Sequence, residues 1–277
     1  MIDDETQIKN PPPTLAGQPL AYLPHLDDEL PDEMGGNVTM SRALAESAHG
    51  LTLNEARLMM LAMRCINPRS SPYQYGGVHG YVKVRVHAAE FAELANMGET
   101  AEGYTPRAAY AGLKSACEKL YERTAGWVEG QKKIKMRWAW KAVYHEKEAW
   151  AEIHFSPDLT RHIFMLGERF VRYRLEFARG LRSVYSTNLL RLLMTQKDTG
   201  FKTITLSDFR KTMEVPDTYR YADIKRYAIT PAVKELNEKA DIFIEWKETK
   251  RSRAVHSLQF TFKILPREKA AQTELDI

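Results

Sequence analysis

The first sustained pattern in the chain starts at Leu51. From there Leu51, Leu53, Ala56, Leu58, Met59, Ala62, Met63 and Ile66 recur at the spacing of one helix face. Asn67-Pro68 ends the run, because proline offers no amide hydrogen and pushes the residue before it out of the helical region. The stretch from Ser70 to Gly80, rich in Ser, Tyr and Gly, reads as a loop. A second amphipathic helix is expected from Leu181 to Gln196, with Val184, Tyr185, Leu189, Leu190, Leu192 and Leu193 on its apolar face and Thr199-Gly200 as its stop.

The same patterns occur twice. At one constant offset Leu113, Ala116 and Leu120 match Ile229, Ala232 and Leu236, Glu122-Arg123 matches Glu238-Lys239, and Trp127-Val128-Glu129 matches Phe243-Ile244-Glu245 as the period turns from helix to strand. Upstream, at a slightly longer offset, Val86, Glu90 and Phe91 match Ile204, Asp208 and Phe209. Two ordered matches imply a duplicated unit of short strand, short helix and long helix. A basic β region follows each long helix. In the first copy it runs from Trp127 to Phe155, with Lys132, Lys133, Lys135, Arg137 and Lys141 among apolar positions. In the second, strands at Ile242 to Trp246 and Val255 to Phe262 flank a charged turn from Lys247 to Arg253.

Helices followed by a hairpin with a basic tip are the order of a winged helix, a variant of the helix-turn-helix whose hairpin can follow the nucleic-acid backbone. The expected fold is therefore α+β, two tandem winged-helix domains behind a disordered acidic tail. The divisions are a Pro-rich tail over residues 1–48, a first domain over 49–155, a second over 156–265 and a short tail over 266–277, with the boundary near Ser156-Pro157.

Charge sharpens this picture. The tail carries Asp3, Asp4, Glu5, Asp27, Asp28, Glu29, Asp32, Glu33 and Glu46 against only Lys9 and Arg42, while the whole 277-residue chain has a net charge of +4. The remainder is thus strongly basic, which points to an anionic partner, with nucleic acid first. The tail also holds Pro11, Pro12, Pro13, Pro19, Pro24 and Pro31, which favours disorder. No run approaches the roughly 18 apolar residues of a spanning helix, and an acidic N-terminus is unlike a secretory signal, so a cytoplasmic protein without membrane attachment is expected. Cys65 and Cys117 sit in apolar helical patterns and read as buried thiols, and the histidines show no metal-ligand spacing. Phosphate-cradling and dinucleotide-binding glycine motifs are absent from the sequence, so neither an enzyme nor a bound cofactor is expected.

The candidate reading surface is the second long helix, about Tyr221 to Lys239. Ala228, Ile229, Ala232, Val233 and Leu236 face inward, Asp223, Tyr227, Thr230 and Lys234 fall opposite, and Arg226 lies on the flank. Arg220, Tyr221, Lys225, Arg226, Tyr227 and Thr230 are the side chains such a helix would offer to base edges. Two positions resist this drawing. At 100° per residue Lys225 falls in the apolar face, so it must snorkel or the helix begins later, and Thr230-Pro231 could itself be a helix start, as Thr105-Pro106 is in the first copy. Lys247, Lys250, Arg251 and Arg253 belong to the second hairpin, and Lys132, Lys133, Lys135 and Arg137 to the first, where they are assigned to phosphates. An isolated cluster of this kind would be a solvated helix face; placed in a duplicated fold beside a basic hairpin, it reads as a duplex-binding surface. Trp127, Trp138, Trp140, Trp150 and Trp246 lie in β segments and are expected in the core rather than stacked on bases.

The run from Phe170 to Gln196, with Tyr173, Leu181, Ser183, Tyr185 and Leu189-Leu190, followed by Tyr221 to Lys239 and Phe260 to Phe262, resembles the iteron-binding plasmid replication initiators. The likeness covers about residues 50–264 as an ordered pattern of segments, without one invariant signature. It implies monomers binding direct repeats at an origin through double-stranded DNA, homodimers joined through the first domain that repress the initiator's own gene at an operator, and recruitment of host initiation factors and helicase, with chaperones in some members. A plain winged-helix repressor would carry the same binding residues. A rolling-circle nicking initiator would carry a His-x-His metal pair, which the sequence lacks.

Overall fold

The computed structural model describes residues 36–47, 50–66, 82–97, 105–129, 131–160, 162–163 and 170–265. The loop expected over Ser70 to Gly80, the stretch 1–35 and the tail 266–277 lie outside the described residues.

The chain opens with β1 (Asn37–Ser41) and α1 (Arg42–Glu46), which correct the expectation of a disordered segment through residue 48. Val38, Thr39 and Met40 are all buried, so the strand shows no alternation. Its hydrogen-bonding partner, the strand Phe170–Arg174, lies far along the chain. Both features hide it from a local reading.

The first winged-helix unit follows: α2 (Leu53–Arg64), β2 (Lys83–His87), α3 (Ala88–Ala95), α4 (Pro106–Glu122), β3 (Thr124–Glu129), β4 (Lys132–Arg137), β5 (Ala139–His145) and β6 (Trp150–Phe155). After a short α5 (Pro157–Thr160) comes β7 (Phe170–Arg174), antiparallel to β1. The second unit is α6 (Val184–Met194), β8 (Phe201–Thr205), α7 (Leu206–Met213), a composite long helix, β9 (Ile242–Arg251) and β10 (Ala254–Ile264). That long helix runs from α8 (Tyr221–Asp223) through a π-helical stretch, Ile224–Ile229, into α9 (Thr230–Lys239).

The duplication is visible in detail. The sheets have the same antiparallel order, β2-β6-β5 and β8-β10-β9. Val86 and Ile204 are both buried in the first strand, and the strand ends join the short helices through opposite halves of a capping box. The Glu90 carboxylate accepts the His87 amide at 2.9 Å, and the Thr205 hydroxyl accepts the Asp208 amide at 3.1 Å. Phe91 and Phe209 fill matching core positions at 2% and 0% exposure. Both helices then end in a left-handed residue, Asn96 at φ 53° and Glu214 at φ 55°. Burying one such phenylalanine is worth about 1.5–3 kcal/mol, so each unit holds its short helix by the same anchor.

One part of the expected repeat is wrong. The strand of the first unit that corresponds to β9 is β5, because β5 takes the edge place beside β6 as β9 does beside β10. Trp127-Val128-Glu129 instead lies in β3, which pairs with β4 as a separate two-stranded ribbon, Val128 opposite Lys133 and Glu129 opposite Lys132. The first unit therefore has a basic ribbon inserted between its long helix and its wing. The match to Phe243-Ile244-Glu245 arose because any helix that feeds a strand shows the same change of period.

The two units share one continuous buried core. The Arg57 guanidinium donates to the Leu181 carbonyl at 2.6 Å, Thr212 Oγ1 donates to the Glu46 carbonyl at 3.1 Å, and Lys202 Nζ reaches Glu46 Oε1 at 2.8 Å. Gly200, at φ 65°, closes the turn after α6; a Cβ there would meet the Phe262 carbonyl oxygen at 2.6 Å, so the position requires glycine. Of the tryptophans expected in the core, Trp138 and Trp150 are buried and Trp246 is half-buried, but Trp140 is 44% exposed, on the edge strand β5.

Candidate nucleic-acid interface

The long helix of the second unit begins at Tyr221, with the Arg220 amide donating to the Asp223 carboxylate at 2.9 Å. Thr230-Pro231 is therefore interior and starts no helix. An interior proline removes an amide donor and crowds the carbonyl four residues back, here that of Tyr227. The helix absorbs this by widening just ahead of it: the Thr230 amide bonds the Lys225 carbonyl, one residue beyond the α-helical partner. The wider turn re-phases the side chains. Ile224, Ala228, Ile229, Ala232, Val233 and Leu236 are buried, and three consecutive residues, Lys225, Arg226 and Tyr227, are exposed. This explains why Lys225 fell on the apolar face in a uniform drawing and yet needs no snorkelling.

The exposed front is ordered by aromatic rings. The Arg226 guanidinium lies 5.2 Å from the Tyr227 ring, Tyr227 lies 5.8 Å from Tyr219, and Lys225 Nζ lies 5.4 Å from the Trp246 ring. Arg220 and Thr230 are exposed beside them. The wing is longer than its sequence suggested. β9 runs to Arg251 and β10 starts at Ala254, so the expected seven-residue charged turn is mostly strand, and only Ser252, at φ 56°, and Arg253 turn the chain. Lys247, Lys250, Arg251 and Arg253 are all exposed along this hairpin.

Alternation along β9 places Ile242, Ile244, Trp246 and Glu248 on the row that faces the helix, and this row brings a carboxylate to the cations. The Tyr221 hydroxyl donates to Glu248 Oε2, Lys225 Nζ lies 3.8 Å from the same oxygen, and Lys250 Nζ lies 3.6 Å from Oε1. The Tyr221 hydrogen bond, aided by the two ammonium groups, holds the Glu248 carboxyl below the usual range, and burial together with that carboxylate pushes the Tyr221 phenol well up. Sequence reasoning passed over Glu248 because it was placed in a turn; the period-two pattern from Ile242 was the available signal.

In the first unit the ribbon exposes Lys132, Lys135 and Arg137, while the side chain of Lys133 lies outside the described residues. Arg137 is anchored at the ribbon base, donating to the Tyr121 carbonyl at 3.0 Å and lying 3.7 Å from Glu122. On α4 Arg107 and Lys119 are exposed, and Lys114 lies 3.5 Å from Glu146. Among the described residues no helix is long and apolar enough to cross a membrane, and no cluster of three or more His, Cys, Asp or Glu side chains could hold a metal.

Two helix-plus-wing units, with exposed cations on the second long helix and its wing, define a double winged-helix DNA-binding protein. The family model for the "Initiator Replication protein, WH1" matches residues 37–194, and that for the "Initiator Rep protein, WH2" matches residues 205–262. The chain belongs to the initiator replication protein family. The first match runs past the Ser156-Pro157 division and takes in α6. Among solved structures, the chain is similar in fold to the Pi initiator protein crystallised in complex with iteron DNA, with a TM-score of 0.70 and 18% identity over 85% of this chain and 100% of that one. It also matches the WH1 domain of MSBI1.176, a replication protein isolated from a multiple sclerosis patient, at 25% identity over 43% of this chain and 86% of that one, with a TM-score of 0.29.

Proposed function

We propose that the chain initiates plasmid replication by binding direct repeats, iterons, in double-stranded origin DNA. The observation that carries this reading is the exposed Lys225-Arg226-Tyr227 front beside a basic wing, in a member of the initiator family that shares the fold of an iteron-bound protein. In this reading Arg220, Tyr221, Lys225, Arg226, Tyr227 and Thr230 approach base edges in the major groove, because an arginine bridges two acceptors of guanine and a tyrosine or threonine meets thymine. Lys247, Lys250, Arg251 and Arg253 on the wing, and Lys132, Lys133, Lys135 and Arg137 on the ribbon, contact phosphates, which supply affinity without sequence information. The first domain supports backbone contact and joins two copies into a homodimer that represses the initiator's own gene. The chain acts in the cytoplasm without catalysis of its own, and host initiation factors and helicase are drawn to the origin.

A transformation assay tests this directly. A plasmid carrying the bound repeats and no other origin is expected to be maintained only in cells that supply this chain. Failure of maintenance, with repression of a reporter retained, would leave a plain repressor. Specific nicking of supercoiled origin DNA in magnesium would instead favour a rolling-circle enzyme.

A further inference from the structure

Lysine is a compact charge on a flexible stem, and it will grip whichever phosphate lies within reach. On a protein that must discriminate among duplexes, such freedom strengthens binding to every sequence. The two lysines at the junction of long helix and wing are not free. Glu248 lies between them, 3.8 Å from Lys225 Nζ and 3.6 Å from Lys250 Nζ, and the Tyr221 hydroxyl holds the carboxylate from the helix side. Trp246, one step back on the same row of β9, takes the Lys225 ammonium over its ring at 5.4 Å. Among the described residues, the neighbouring Arg226 meets the Tyr227 ring, 5.2 Å away, and no carboxylate. A carboxylate in a phosphate-facing surface repels the ligand, so its presence there calls for a positive reason.

We propose that Glu248 is a specificity-determining residue that restrains Lys225 and Lys250 in one geometry, so that only a duplex seated in register meets both ammonium groups where they are held. A cognate duplex seated in register presents a base-edge acceptor to Lys225 and a phosphate to Lys250 at those positions, and benefits from preorganised partners. A random duplex presents these acceptors elsewhere, and the lysines must leave Glu248 to reach any phosphate within range. The inference rests on the reading of the chain as a site-selective duplex-binding protein.

The test uses the full chain and two duplexes, one selected by the wild-type protein from a randomised pool and one of scrambled sequence, titrated by fluorescence anisotropy at several salt concentrations. For Glu248→Gln, affinity for the scrambled duplex is expected to rise on the order of tenfold at low salt, with its salt slope steeper by about one unit. Affinity for the selected duplex should change much less, so the ratio between them falls. Glu248→Asp keeps the charge but shortens the reach, and is expected to lower the ratio in the same direction. Equal tightening toward both duplexes, or an aspartate variant indistinguishable from wild type while glutamine changes the ratio, would overturn the proposal, because net charge alone would then explain the effect. Unchanged binding of both duplexes by either variant would also overturn it. Failure of the wild-type chain to select any duplex from the pool would instead sink the reading on which the inference rests.

Discussion

The two winged-helix units share a plan and differ in what they do with their long helices. In the first unit α4 is a regular helix, opened by Thr105 and Pro106, with the Thr105 hydroxyl accepting the Ala108 amide at 3.1 Å. It keeps Arg107 and Lys119 exposed, and the ribbon of β3 and β4 adds the exposed cations Lys132, Lys135 and Arg137. In the second unit Pro231 sits inside the helix, the preceding turn widens, and three successive residues, two of them cationic, are turned outward next to the wing. In the function proposed above, this duplicated scaffold uses one surface to read bases and the other to hold the backbone. The scaffold is kept by a few shared anchors, and the difference is made by one proline and one inserted ribbon.

The largest expected effect tests the shared part. Phe91→Ala and Phe209→Ala each remove a fully enclosed ring at matching positions, and each is expected to cost about 3–5 kcal/mol in denaturant unfolding. A loss in one unit less than half that in the other would mean that the two anchors are not equivalent.

The next test bears on the difference. Arg226→Ala should cost about 1–3 kcal/mol in binding a selected duplex and relax preference at one or two base pairs. Lys135→Ala on the ribbon should weaken selected and scrambled duplexes alike and lower the slope of log affinity against log salt by about one unit. If the two variants exchange behaviours, the roles of the units are reversed.

A smaller effect concerns acid. Burial alone would raise the Glu55 carboxyl, but the two contacts from Arg123, at 2.8 and 3.0 Å, and those from Thr52 outweigh it and hold the carboxyl below its ordinary value of 4.5. Glu46, held by Lys202 and Arg42, and Glu235, held by Ser186, Lys239 and the Arg182 amide, are shifted the same way. A carboxyl depressed in the folded state adds stability that is complete above its unfolded value and is lost as pH falls through the folded value. Unfolding free energy should therefore drop as pH is lowered from about 6 to about 3, and Glu55→Gln should remove part of that dependence while costing about 1–2 kcal/mol near neutrality. An unaltered acid profile in the variant would show that Glu55 is not one of the groups responsible.

Much of this organisation was legible in the chain because the repeat is written in residues whose spacing survives folding. Val86, Glu90 and Phe91 against Ile204, Asp208 and Phe209 identify a strand, a cap and a core anchor; strand and anchor are alike in both units, while the cap is the Glu90 carboxylate in the first and the Thr205 hydroxyl, on the Asp208 amide, in the second. The features that were missed depend on contacts distant in sequence or on departures from a regular period. β1 is specified by its pairing with β7, Val38 opposite Tyr173, and five residues without alternation carry no local mark of a strand. The outward turn of Lys225 follows from the π-helical stretch, which a fixed 100° step cannot reproduce. The separation of ribbon from wing depends on which strand pairs with β6, and that is set by the register of Ala142 with Ile153 and Tyr144 with Ala151, not by composition.

In the function proposed above, two units, built alike and used differently, engage one duplex together. Footprinting of the wild-type chain on its selected duplex tests this most directly. Two units on successive turns predict continuous protection of roughly 20 base pairs, with major-groove contacts concentrated in one half, since adjacent turns lie about 10 base pairs apart. Protection confined to a single turn, or equal protection of scrambled DNA, would contradict it.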